Sequence, residues 1–120
     1  MIKPNGIISA SEAKELNDNW TKLRAKANDL AAGKPDNRSS WYSLEDIEAF
    51  INLIKQENKN VNGIRFYLGV QASENDSKGL TTVFMVPTED NGKEKNQDIP
   101  GANGLDRGHN GYPPNAEYPQ

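Results

Sequence analysis

One stretch, Val61–Val70 (VNGIRFYLGV), limits what this chain can fold into more than any other. Ile64, Phe66, Leu68 and Val70 alternate there with Arg65, Tyr67, Gly69 and Gln71. Successive strand residues point to opposite faces, so this order sets an apolar face against a polar one. β-branched and aromatic side chains suit a pleated, half-buried surface. The pattern therefore predicts a strand over about 63–71 with its apolar face on a core. Such a strand needs company, because two strands alone are marginal in water.

A second apolar run, Leu80–Val86 (LTTVFMV), ends at Pro87. Leu80, Thr82, Phe84 and Val86 share one face, and Thr81, Val83 and Met85 the other. Apolar residues on both faces predict a strand that is central or covered on both sides. Residues 72–79 (ASENDSKG) read as a polar loop, and the two strands, about 63–71 and 80–87, pair most simply antiparallel. A third strand is expected from Ile7-Ile8, from around Asp98-Ile99, or from a partner chain.

Helices precede the strands. Ser9 with Glu12 matches a capping box. Ala13, Leu16, Trp20, Leu23, Ala27 and Leu30 then recur at spacings of three and four. Gly33 and Pro35 end the pattern, which predicts a helix over about 10–32. The stripe has the spacing of a coiled-coil seam as well. Packing on the chain's own sheet is the expectation, with self-pairing the alternative. Ser43 caps a second helix, about 44–58, whose buried face is Leu44, Ile47, Phe50, Ile51 and Ile54. Tyr42 and Ile47 are placed for a hydrophobic staple.

A chain of 120 residues makes one domain. The fold class is α+β: two N-terminal helices packed on a small antiparallel sheet, with an irregular Pro/Gly/Asn-rich C-terminal segment. Residues 1–87 form the core domain, and 88–120 a polar, irregular or partly disordered segment that could dock through Ile99, Leu105, Tyr112 or Tyr118. The expected core is Leu16, Trp20, Leu23, Ile47, Phe50, Ile51, Phe66, Leu68, Phe84 and Val86.

Chemistry is bounded mainly by what is missing. There is no cysteine, which removes disulfides, thiolate nucleophiles and Cys-ligated metals. One histidine, His109, is too few nitrogen ligands for a usual transition-metal site. No metalloprotease, nucleophile-elbow, phosphate-loop or complete calcium-loop motif is present. No metal, cofactor or catalytic residue is expected. The net charge of −3, without a Lys/Arg run, gives no general attraction to nucleic acid or anionic membrane. MIKPNGIIS lacks a signal-type apolar core, and no run nears the ~20 apolar residues of a membrane span, so a cytoplasmic location is expected.

Candidate binding residues are few. Arg65 and Tyr67 stand on the polar face of the central strand beside Gly69, which leaves room for close approach. Trp41 and Tyr42 sit at a helix entry. His109 lies in the polar sequence DRGHNGY, near Asp106 and Arg107. The terminal NGYPPNAEYPQ has the composition of an extended proline-rich ligand but no full PxxP.

WYSLEDIEAFI, VNGIRFYLGV and GLTTVFMVPT together resemble segments of a family of small uncharacterised bacterial proteins. The resemblance implies that the second helix and both strands form one unit, and it carries no activity, cofactor or site residue. The functional expectation is a non-catalytic protein-interaction or binding module, acting on a protein partner or on itself. The alternative is a small-molecule-binding protein or enzyme using the polar sheet face around Arg65 and Tyr67.

Overall fold

A computed structural model describes residues 2–106, the backbone of 109–110, and 117–119. Arg107, Tyr112, Pro113 and Pro114, named above as candidates, lie outside the described residues.

The chain opens with a nearly continuous helical rod. Helix α1 is Ala10–Trp20, followed by a wider π turn, Thr21–Ala25, and helix α2, Lys26–Ala32. The capping box forms: Glu12 N donates to Ser9 Oγ at 3.1 Å, and Ser9 N donates to Glu12 Oε1 at 3.2 Å. Gly33, at φ 74°, ends the rod in the left-handed conformation that favours glycine. The Arg38 guanidinium binds just ahead of the π turn, donating through Nη2 to Asn17 O at 3.0 Å, Asn17 Oδ1 at 3.1 Å and Thr21 Oγ1 at 3.0 Å.

Strand β1 (Ser40–Trp41) leads to helix α3 (Leu44–Glu57), where Ser43 Oγ accepts from Asp46 N at 2.9 Å. Strands β2 (Val61–Ser73) and β3 (Asp76–Glu89) pair antiparallel, and β4 (Gln97–Asp98) pairs antiparallel with β3. Strand β5 (His109–Asn110) pairs with β1 in a separate two-stranded ribbon. The described sheet order is β2-β3-β4. The third strand thus comes from around Asp98, one of the expected sources.

Residues 72–79 are not a loop. The hairpin stays paired to Ser73 and Asp76, closing over Glu74-Asn75. Asp76 makes the tight turn possible. Its N–H donates to Ser73 Oγ at 3.2 Å, its Oδ1 accepts from Gly79 N at 3.0 Å, and its Oδ2 meets Lys34 Nζ at 2.9 Å. Polar composition signalled a turn here but not its length.

The core is small and lies between α3 and β3. Phe50, Ile54 and Met85 are its fully buried members, with Tyr42, Ile47, Val61, Ile64 and Leu105 packed round them. Leu105 bridges Met85 through two backbone hydrogen bonds of 2.9 Å. Part of the core therefore comes from the segment after Pro87.

Four expected core residues lie at the surface. Phe66 is 63% exposed and Leu68 70%, although both alternate as the pattern requires, and Leu16 and Leu23 are also exposed. Helix α3 covers β3 and the Ile64 end of β2, and the edge strand runs out beyond it. The segment that follows the helical rod meets β3 through polar groups. Asp36 Oδ1 accepts from Thr81 N at 2.7 Å, and Asn37 Nδ2 donates to Thr81 O at 3.0 Å. Ala32 is the buried residue of α2, while Leu16, Leu23 and Leu30 face outward.

Candidate functional site

Arg65 and Tyr67 are brought together by a third residue, Asp98 of β4. Period-two alternation sets Arg65 and Tyr67 on one face, and the antiparallel β3–β4 pairing carries Asp98 alongside. Arg65 Nη1 donates to Asp98 Oδ1 at 2.8 Å, and the Tyr67 hydroxyl donates to Asp98 Oδ2. Holding its proton against a carboxylate keeps the Tyr67 phenol above its ordinary pKa. The Tyr67 ring stacks on Phe84 with centroids 5.4 Å apart. The room beside Gly69 is filled from within: a Cβ there would stand 3.1 Å from Phe84 Cε1. The arrangement neutralises the guanidinium and ties β4 to β2 across β3.

The other expected residues separate from this pair. The Tyr42 hydroxyl reaches Val83 O at 2.7 Å and Asp106 O at 3.0 Å, pinning the helix entry to β3 and to the following segment. Trp41 pairs with His109 in backbone register, and half of its surface is exposed. The His109 side chain lies outside the described residues. Among the described residues, no three His, Asp or Glu side chains converge as metal ligands.

The two long edges of the sheet differ. The odd-numbered residues of β3 turn their backbone polar groups away from β2, and those groups find partners one after another. Asp36 and Asn37 take Thr81, Tyr42 takes Val83 O, Leu105 takes Met85, and Ile99 N donates to Pro87 O at 3.1 Å. Antiparallel pairs alternate between hydrogen-bonded and non-hydrogen-bonded positions. Met85 bonds outward to Leu105, so Phe66, directly opposite it, cannot be bonded to β3. By the same alternation Ile64, Phe66, Leu68 and Val70 direct their N–H and C=O groups to the outer edge of β2, where β3 is the strand's one neighbour among the described residues.

These same residues carry the apolar side chains. Phe66, Leu68 and Val70 form an exposed row, and Ile64 leads it into a groove of about 300 Å³ lined by Ile51, Ile54, Lys55 and Val61. Sequence reasoning set this alternating face on the core, which holds for Ile64 and not for Phe66, Leu68 and Val70. Their apolar alternation was the signal, and which layer would cover them was not encoded locally. It also missed the bond between Asp98 and Arg65, which lie 33 positions apart.

Compared with family models, with curated proteins and with solved structures, the chain gives no match. No described helix is long and apolar enough to cross a membrane.

Proposed function

We propose that this chain is a non-catalytic interaction module whose recognition surface is the outer side of β2. One observation carries the reading: residues with exposed apolar side chains, Phe66, Leu68 and Val70, also present strand-edge backbone that no described strand pairs with. An exposed, apolar, unpaired edge is a template for adding another strand. The rival use of Arg65 and Tyr67 as a small-molecule site is weakened by Asp98, which occupies both. The likeness to small bacterial proteins, a cytoplasmic location and the lack of a nucleic-acid partner belong to the same proposal and rest on sequence alone.

The test is site-specific photo-crosslinking in the source cell. A photoreactive residue at Phe66 or Leu68 yields discrete protein adducts, whereas one at Leu44, which is 81% exposed at the start of α3, does not. Absence of adducts at both strand positions defeats the reading.

A further inference from the structure

Resting on that reading, we infer that the strand edge pairs with a second copy of itself, β2 against β2 antiparallel about a two-fold axis, to make one continuous sheet from two chains.

The edge lacks the devices that keep strands apart. Natural edges are guarded by Lys or Pro, by inward-pointing charges or by bulges. Residues 63–71 contain no Lys, Asp, Glu or Pro. The two irregularities of β2 fall at its ends, between Val61 and Gly63 and between Gln71 and Ser73, so the stretch between them is regular. Arg65 is its one charge, and Asp98 neutralises it within the same chain.

The strand is complementary to its own reverse. Hydrogen-bonded pairing of two such edges must join even-numbered residues, because only those direct their backbone groups away from β3. A two-fold axis at Tyr67 then sets Ile64 against Val70 and Phe66 against Leu68, each pair apolar, on the exposed face. On the other face Arg65 meets Gly69, and no like charges are opposed. Phe faces Leu, and Ile faces Val, in the kind of cross-strand contact that stabilises sheets. A partner of opposite charge is not called for, since the row is uncharged. The strip is one strand wide, smaller than the ~1,600 Å² of a standard stable interface. A weak dimer is expected, dissociating at about micromolar to millimolar concentration.

Native-state amide exchange by NMR, read with light scattering over increasing concentration of the full chain, tests this. As dimer forms, the amides of Ile64, Phe66, Leu68 and Val70 gain protection, while those of Arg65 and Tyr67, already bonded to β3, stay protected throughout. Leu68→Pro removes an outward N–H that has no partner among the described residues, and it holds the protein monomeric. Phe66→Lys does the same by placing a charge in the apolar row, and it serves if the proline variant loses its circular dichroism. Leu23→Glu, on the exposed helix stripe, leaves dimerisation intact.

Four results would overturn the inference. They are a wild-type monomer at about 1 mM, dimers that persist in both folded strand variants, dimers lost in Leu23→Glu, and protection that does not follow the even-numbered pattern. A monomer that still crosslinks to a different protein at Phe66 removes the self-pairing and leaves the interaction reading. A monomer without adducts removes both.

Discussion

Two phenylalanines separate the core from the surface in one experiment. Phe50 is 5% exposed and packs against Ile54 and Met85, whereas Phe66 is 63% exposed. Replacing Phe50 by Ala removes a buried ring and leaves a cavity, at a cost of ~3–5 kcal/mol. A chain of this size typically has ~5–15 kcal/mol in total. Each kcal/mol lowers the melting temperature of such a domain by about 4 °C, so Phe50→Ala should melt ~10–20 °C early or fail to fold. Phe66 withdraws only about a third of its surface from water in the single chain. Full burial of such a side chain is worth ~1.5–3 kcal/mol, so Phe66→Ala should cost at most ~1 kcal/mol. Urea unfolding followed by far-ultraviolet circular dichroism reads both, at a protein concentration low enough to keep the chain monomeric. Equal losses in the two variants would refute the placement of β2 outside the cover of α3. An unchanged Phe50→Ala would refute the core itself.

Further outcomes follow from single contacts. The raised pKa of Tyr67 means that its hydrogen bond to Asp98 contributes fully below the unfolded phenol value of about 10 and is lost as pH rises through the higher folded value. Ultraviolet titration should therefore show a late phenol that is absent in Tyr67→Phe and titrates earlier in Asp98→Asn. Tyr42→Phe strips the hydroxyl from Val83 O and Asp106 O and should cost ~1–3 kcal/mol in denaturant unfolding, with little change in the far-ultraviolet spectrum. Gly79 holds φ 72°, and a Cβ there would fall 2.6 Å from Gln71 O. Gly79→Ala should lower stability by at least ~1–3 kcal/mol, and a melting temperature equal to that of the parent would contradict the closed hairpin.

Local signals made the elements legible. Ser9 with Glu12, Ser43 and Gly33 mark helix ends through bonds made within a few residues, and these are formed as expected. The alternation at Ile64–Val70 and Leu80–Val86 is equally local and gives the antiparallel pair. What alternation cannot state is which layer covers a face. Phe66 and Leu68 obey the same pattern as Ile64, yet only Ile64 lies under α3. The stripe of Leu16, Leu23 and Leu30 likewise fits two partners, and the sheet is not the one it meets. No local pattern assigns partners to Asp36, Asp98 or Asp106. Their roles come from residues brought near by folding: Thr81, Arg65 with Tyr67, and Thr82. Arg65 and Tyr67, the centre of the alternative small-molecule reading, also brace β4 against β2 through Asp98.

The lopsided finish of the sheet sets a limit on size. One rim is occupied in turn by Asp36, Asn37, Tyr42, Leu105 and Ile99, so a neighbour finds little ladder to continue along β3 on that side. Growth through the bare rim is isologous, and each join consumes both of the rims that made it. A ribbon with two bare rims would lengthen into a filament. This one, paired as inferred above, would stop after a single join, and an unguarded strand would persist without seeding fibres.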